Sequence, residues 1–229
     1  MLIFCHLFAG LVLGLFLNRV SGQKWTLWAC ALGSVLPDLL DKPLGHIFLS
    51  DTLDNGRLLS HTLLFFGVFL IAGLASWRRQ GRFPILALAA GIMLHQVLDT
   101  MFLDPITWCW PFLGPFPIMS YPDYFGQFLV EELSSVYEWF FGAFSLAIIL
   151  QYAHRHGWSG WRLLERRRAC LMSITWCMLL FAAVAVLYAI ITADGSDPGK
   201  TGQILIASLV ATTGGLGLEI SSEKSEKME

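Results

Sequence analysis

The fold of this chain is decided by an apolar stretch, residues 83–103, which reads FPILALAAGIMLHQVLDTMFL. A membrane-spanning helix needs about 20 predominantly apolar residues, and this stretch is long enough to be one. It contains two ionisable residues, His95 and Asp99, which are four positions apart and therefore share one face of a helix. Because ionisable groups are costly in lipid, we expect this pair to belong to a functional site.

The composition of the whole chain is that of a membrane protein. Of its 229 residues, 55% are hydrophobic and 14% are charged, whereas soluble proteins carry about 25% charged residues. We predict an all-α, multi-span transmembrane helical bundle of about six or seven spans. Gly10 and Gly14 have the small-residue spacing of a helix-packing face. No basic patch with interleaved aromatic residues occurs, so we expect no nucleic-acid partner. The five cysteines predict neither a disulfide framework nor a thiolate metal site.

Hydropathy divides the chain into spans, loops and a tail. Besides 83–103, the predicted spans are residues 2–18, 25–40, 61–77, 133–153, 169–193 and 203–220. The proline- and aromatic-rich stretch 104–130 is typical of a membrane–water interface. The first five spans form the predicted metal-site bundle, 1–153. A basic cytoplasmic loop and two spans follow over 154–220, and the charged tail 221–229 is expected to be disordered. We expect the first span to be retained rather than cleaved as a signal peptide.

The positions of lysine and arginine predict how these spans are oriented. With seven spans, all of the 15 Lys and Arg residues fall on one side except Lys42, Arg57 and Lys200. The positive-inside rule makes the crowded side cytoplasmic. We therefore expect a multi-pass protein of the inner (cytoplasmic) membrane, with its C-terminus in the cytoplasm.

This topology brings six ionisable residues into a polar cup near the outer face of the bundle. Imidazoles and carboxylates in this number suit one or two divalent ions, with Zn²⁺ favoured over Mn²⁺ or Fe²⁺. Inward-facing His and carboxylate side chains are an established way to build a metal centre in a helical bundle. The predicted metal ligands are His6, Asp38, Asp41, His61, His95 and Asp99.

Three residues near this group are predicted to act in catalysis. Arg57 precedes His61 by four residues, and a guanidinium there is suited to clamping an anionic phosphate. A carboxylate, Asp38 or Glu132, is the predicted general base. Other interpretations stay open at single positions, since Asp38 also suits a helix cap after Pro37 and Arg57 also suits the membrane interface.

Four motifs, in order along residues 1–140, resemble a known family. They are GSVLPDLLDKP over 33–43, NGRLLSHT over 55–62, HQVLD over 95–99 and WCWPF over 108–112. The chain resembles the membrane-bound metal-dependent hydrolase family, which includes LexA-regulated inner-membrane hydrolases of bacteria and archaeal relatives. That family is distantly similar to zinc-dependent phospholipase C. The chain departs from the family pattern twice: its two aspartates are spaced Asp38-x-x-Asp41 instead of Asp-x-Asp, and Gly56 stands where many members have histidine.

The resemblance implies phosphoester chemistry at a metal centre in a prokaryotic membrane. It supports five of the predicted metal ligands, with Arg57 close by: His6, Asp38, His61, His95 and Asp99. We expect an integral-membrane hydrolase that cleaves a phosphoester in a lipid or lipid-linked substrate with metal-activated water. The alternative is a membrane transporter or metal/proton carrier that uses the same His/Asp cluster. A third possibility is a structural protein whose metal only staples the helices together.

Overall fold

The computed structural model of the chain describes residues 3–121 and 123–155, together with Trp176 and Leu180. All regular structure in these residues is helical and no strand occurs among them, which confirms the predicted all-α class for this part of the chain. The α-helices are α1 Ile3–Ser21, α2 Trp25–Pro43, α3 Leu63–Gln80, α4 Pro84–Leu98, α5 Pro105–Trp108, α6 Tyr124–Ser134 and α7 Val136–Arg155.

The number of membrane spans stays a prediction. Among the described helices, α1 is the one that is both long and apolar enough to cross a membrane, while α4 is apolar but shorter. The predicted last span, 203–220, and the tail 221–229 lie outside the described residues, as does all of 169–193 except Trp176 and Leu180.

The fifth predicted span, 133–153, is wrong at its start. Ser135 takes an extended conformation, with φ −79° and ψ 105°, and separates α6 from α7. Residues 133 and 134 of the predicted span are therefore the end of α6, which begins inside the interfacial stretch 104–130, and the rest of the span after Ser135 belongs to α7. As a result, Glu131 and Glu132 lie near the C-terminal end of α6 and not at the start of a spanning helix.

Two other helix ends also differ from the prediction, and both place site residues. α4 ends at Leu98, with Asp99 as its C-cap, because the next residue, Thr100, takes a left-handed φ of 54°. α3 begins at Leu63, since the Thr62 side chain accepts a hydrogen bond from a backbone N–H of its first turn. His61 therefore lies in the 3₁₀ turn Leu59–His61 that precedes α3.

Small residues let α2 and α4 approach closely. A Cβ atom on Gly33 would lie 2.2 Å from the Leu88 carbonyl oxygen of α4, and one on Gly91 would lie 2.2 Å from the Cys30 carbonyl oxygen of α2. The two helices thus cross backbone against backbone, as small residues allow in membrane bundles. This crossing fixes the spacing between the polar ends of α2 and α4.

α1 packs against α2 in the same manner. A Cβ on Gly10 would collide with the Ser34 side chain, and one on Gly14 would lie 2.8 Å from the Leu27 carbonyl oxygen. This arrangement confirms the prediction that the two glycines form a packing face. Three helices are therefore held close together, and the polar residues of α1, α2 and α4 meet beyond these crossings.

Contacts between Cα atoms divide the chain into two compact units, Met1–Phe140 and Phe141–Glu229. All of the predicted site residues belong to the first unit. In the second unit, the described segment is the continuation of α7 to Arg155, where Phe141, Phe144 and Ile148 are buried. Their spacing of three and four residues places them on one helix face.

Candidate metal centre

Four ionisable side chains meet in the interior of the first unit. One ligand atom from each lies within 4.8 Å of the others, and all four residues are buried. α2 contributes one of them, the 3₁₀ turn before α3 contributes the second, and α4 with its C-cap contributes the remaining two. The group consists of Asp38, His61, His95 and Asp99.

The Nε2 atoms of the two imidazoles in this group face each other. His61 Nε2 and His95 Nε2 lie 3.1 Å apart. The Nδ1 of His95 lies 2.8 Å from the Ser34 carbonyl oxygen, and the Nδ1 of His61 lies 2.8 Å from a carboxylate oxygen of Asp41. Because these oxygens only accept hydrogen bonds, we infer that both neutral rings carry their proton on Nδ1. Two Nε2 lone pairs therefore face each other, an arrangement that a shared cation would stabilise.

Two carboxylate oxygens, one from Asp38 and one from Asp99, also face the two Nε2 atoms. Asp38 Oδ1 lies 3.6 Å from His61 Nε2 and 3.8 Å from His95 Nε2. Asp99 Oδ2 lies 3.9 Å and 4.0 Å from the same two nitrogens. Tetrahedral ligands that are each about 2.0–2.2 Å from Zn²⁺ are about 3.3–3.6 Å from one another. The observed spacings are close to that range, so the donor set fits a divalent ion.

The carboxylate of Asp41, a predicted metal ligand, is engaged by hydrogen bonds. It lies outside the group of four and accepts hydrogen bonds from the backbone N–H groups of Leu58, Ser60 and His61. It also accepts the His61 Nδ1–H. A carboxylate behind a metal-binding histidine fixes its tautomer and ring orientation. Asp41 therefore orients the His61 ring, and its oxygens are already engaged by four N–H donors.

His6 also lies just outside the group of four. Its Nε2 is 3.1 Å from Asp99 Oδ1, the oxygen opposite the one that faces the two imidazoles, and its ring centroid is 4.2 Å from that of His95. His6, a predicted ligand, thus lies next to the group of four and contacts the carboxylate of Asp99. The other imidazoles are nearer to the central point.

Two cationic side chains contact the carboxylates of the centre. Lys42 Nζ lies 2.7 Å from Asp38 Oδ2, and Arg57 Nη2 lies 3.5 Å from Asp99 Oδ2. The Arg57 side chain is 40% exposed, whereas both aspartate side chains are 6% exposed. Arg57 and Lys42 therefore both lie beside the centre, and the catalytic role of Arg57 stays a prediction. The predicted base Asp38 has one oxygen directed at the imidazoles and the other at Lys42.

The remaining acidic candidates are placed as follows. Glu132 belongs to α6, and its side chain lies outside the described part of the structure, so its role as a base stays a prediction. Glu138 accepts hydrogen bonds from the backbone N–H groups of Phe4 and Cys5, at 2.7 and 3.2 Å. It therefore binds the first turn of α1, where a carboxylate also interacts favourably with the helix dipole.

A hydrogen-bonded support for His61 was missed at the level of sequence. Trp108 Nε1 donates to Gln96 Oε1 at 2.9 Å. The Gln96 amide nitrogen donates to the carbonyl oxygens of Ser60 and Thr62 on either side of His61, at 3.3 and 3.0 Å. α4 thereby holds the turn that carries the histidine. Only the position of Gln96 next to His95 offered a sequence signal for it.

Comparison with known protein families matches residues 1–195 to the family described as YdjM inner membrane protein. The matched segment includes every residue of the candidate centre and supports the predicted membrane location. No curated protein and no solved structure matches the chain. The likeness to metal-dependent hydrolases and to phospholipase C stays a prediction.

Proposed function

Since this chain belongs to the YdjM inner membrane protein family, we propose that it is a metal-dependent hydrolase that cleaves a phosphoester in a lipid or lipid-linked substrate. The observation that carries the proposal is the pair of Nε2 atoms 3.1 Å apart, with two carboxylate oxygens beside them. A divalent ion held by these four side chains would need a water as a fifth ligand, and it would lower the pKa of that water to about 7 and so provide a nucleophile at neutral pH. Zn²⁺ suits two imidazoles and two carboxylates best, and Mn²⁺ or Fe²⁺ also fits them.

The engagement of the outer carboxylate oxygens supports a single ion. Asp38 Oδ2 is bound by Lys42, and Asp99 Oδ1 is bound by His6. Only the oxygens that face the imidazoles remain for a metal, whereas a two-metal site needs carboxylates that bridge or extend to a second ion. Of the one or two ions that the sequence allowed, we therefore propose one.

The two cations beside the centre support an anionic substrate. Arg57 approaches Asp99 at 3.5 Å, a distance longer than that of a close charge-assisted hydrogen bond. Its exposed guanidinium is therefore available to bind a phosphate on the substrate, which it would hold through two parallel N–H donors. Lys42 is bound closely to Asp38 and contributes positive charge at the same place. A phosphoester anion matches this charge better than a neutral ester does.

The surroundings of the centre support a lipid as the molecule that carries the phosphoester. The segment after α5 exposes large apolar side chains, among them Phe112 at 85% and Ile118 at 75%. Such residues suit the membrane–water interface. We propose that the chain crosses the inner membrane several times and that the centre opens toward its outer side, as the distribution of lysine and arginine favours.

The test of this function is hydrolysis by the purified protein. Wild type and His95→Ala are purified in detergent, supplied with Zn²⁺, and mixed with vesicles of phosphatidylethanolamine and phosphatidylglycerol or with bis(p-nitrophenyl) phosphate. We expect wild type to release product and to lose this activity with a chelator. His95→Ala should be inactive with an unchanged circular dichroism spectrum, and His156→Gln, in the basic loop predicted to be cytoplasmic, provides a histidine control.

Two results would contradict the proposal. A metal-loaded wild type that hydrolyses neither substrate would exclude the phosphoesterase. Ion flux into proteoliposomes that requires His95, without any hydrolysis, would instead support the carrier that the sequence left as the alternative.

A further inference from the structure

A groove lies between α3 and α4, next to the turn that joins them. Its volume is about 450 Å³, and pockets that bind small ligands typically measure about 300–1,000 Å³. Arg82 in the turn and Ile85 in the first turn of α4 form one wall. The lining residues of α3 recur every three or four positions and so form one stripe of that helix. They are Ala72, Ala75, Ser76 and Arg79.

This groove is remote from the metal centre. α3 has 18 residues and therefore rises about 27 Å. Its first turn follows His61, whereas the groove lies along its second half. α4 begins beside the groove and carries His95 in its last turn. The groove and the metal centre are thus at opposite ends of the same two helices, and in the proposed orientation the groove faces the cytoplasmic leaflet.

The charge at this end of the two helices is positive. No aspartate or glutamate occurs in residues 1–37 or 55–98, which contain α1, α3, α4 and most of α2. Arg78, Arg79 and Arg82 are exposed, and none of them forms an ion pair with another residue in the described part of the chain. A guanidinium has five N–H donors and binds phosphate through two of them at once. The two arginines of the groove therefore suit an anionic ligand.

The turn that carries Arg82 is fixed by its own contacts. Gln23, in the turn between α1 and α2, donates to the Gly81 carbonyl oxygen at 2.6 Å and accepts the backbone N–H of Phe83 at 2.9 Å. Trp77 packs edge-on against Phe83, with ring centroids 6.3 Å apart. Because the backbone is held on both sides of Arg82, little conformational entropy is lost there when a ligand binds.

The groove has a polar end and an apolar end. Its arginines lie near the turn, whereas Ala72 and Ile85 lie where the two helices touch. That contact is close, because a Cβ atom on Gly73 would lie 2.7 Å from Leu86 Cα. A phospholipid has the same arrangement, with its phosphate next to its acyl chains. A free phosphate ion would leave the apolar wall uncovered.

We propose that this groove binds an anionic phospholipid of the cytoplasmic leaflet. Arg79 and Arg82 donate to the phosphate oxygens, and an acyl chain lies along the apolar wall. Basic pockets between helices on the cytoplasmic side are suited to anionic lipid headgroups. The site depends on the membrane location that the family supports and does not depend on hydrolysis. A bound lipid would hold α3 against α4 at the end opposite the metal centre.

Native mass spectrometry of the full-length protein in detergent tests this site. The probe is dioleoyl-phosphatidylglycerol, with dioleoyl-phosphatidylcholine as the uncharged comparison and inorganic phosphate as a competitor. Arg79→Gln and Arg82→Gln each remove one cation, and Ala75→Leu keeps every charge but fills the groove. Arg78→Gln is the matched control, because Arg78 lies in the same helical turn as Arg79 but does not line the groove.

We expect wild type to bind phosphatidylglycerol more tightly than phosphatidylcholine. Its affinity for phosphatidylglycerol should fall about 5-fold when one of the two arginines is changed and about 30-fold when both are changed. Ala75→Leu should also weaken binding, whereas Arg78→Gln should stay within twofold of wild type. An equal concentration of inorganic phosphate should not displace the lipid. If the double variant does not fold, Ala75→Leu carries the same test.

Three results would overturn the site. Equal losses in Arg78→Gln and Arg79→Gln would show a general attraction of the basic surface and no specific groove. Equal affinity of wild type for the two lipids would exclude recognition of an anionic headgroup. Displacement by an equal concentration of inorganic phosphate would show a phosphate site that needs no lipid. Each of these results would leave the metal centre and the proposed hydrolysis intact, since those are tested by metal content and product release.

Discussion

His61 Nε2 lies 3.1 Å from His95 Nε2, although each ring directs its Nδ1–H toward another acceptor. The two nitrogens cannot donate to each other when both rings carry their proton on Nδ1, so their approach is favourable when a metal ion or an additional proton lies between them. Asp38 and Asp99 supply negative charge at the same point. This relationship underlies the metal centre and each of the predictions below.

Asp41→Asn should weaken metal binding without removing a ligand. The amide that replaces one oxygen would direct N–H groups at the donors of Leu58, Ser60 and His61, and His61 would lose its orientation. Loss of such a partner typically costs about 10- to 100-fold in metal affinity. Competition with a chromophoric zinc chelator measures the affinity.

Asp51→Asn is the matched control for this prediction, because Asp51 is exposed in the loop after α2. Its affinity should equal that of wild type. Equal affinities for both variants would show that Asp41 does not orient a ligand.

Gly91→Ala should destabilise the bundle and weaken the metal centre together. The added methyl group would lie 2.2 Å from the Cys30 carbonyl oxygen, so α2 and α4 must separate. Overpacking of this kind costs about 1–3 kcal/mol. Separation would also move Asp38 away from His95, and unfolding in detergent with and without Zn²⁺ measures both effects.

Gly67→Ala separates this packing effect from the general effect of alanine in a helix. Gly67 lies in α3, and no atom lies within 4 Å of a Cβ placed there. Because alanine favours helix over glycine, this variant should be as stable as wild type or more stable. A similar loss in both variants would contradict the close crossing.

Arg57→Gln should reduce hydrolysis while metal content stays at the wild-type level. Arg57 touches a ligand only at 3.5 Å, so its main effect would be on an anionic substrate. Loss of hydrogen bonds from a charged donor costs about 1.5–3 kcal/mol, which corresponds to about a 10- to 100-fold fall in kcat/KM.

Arg78→Gln changes an arginine in the last turn of α3 and should leave kcat/KM unchanged. If Arg57→Gln instead lost its metal and kept its kcat/KM per bound metal, Arg57 would act on the ligands and not on the substrate.

The sequence predicted those parts of the centre that depend on spacing and charge. His95 and Asp99 stand out because they interrupt an apolar stretch, and lysine and arginine placement brings Asp38 and His61 to the same side. The structure brings these four together. Gly10 and Gly14 likewise identify their packing face by spacing alone.

The parts that sequence could not predict depend on the path of loops. His46, in the π-helical turn Leu44–Phe48, meets Asp54 in the loop that follows, and no single helix joins the two. The backbone of Leu58, Ser60 and His61 reaches Asp41 only because the loop folds back over the end of α2. The break at Ser135 was missed because Ser134 and Ser135 are not accompanied by the Gly or Pro that usually marks the end of a helix.

Metal analysis of the purified protein tests the central claim most directly. Wild type, extracted in mild detergent without added metal and analysed by inductively coupled plasma mass spectrometry, should contain about one divalent ion per chain. His61→Ala and His95→Ala should contain almost none, while Asp51→Asn should retain the ion. A folded wild type that carries no metal, and binds none when Zn²⁺, Mn²⁺ or Fe²⁺ is supplied, would contradict the account.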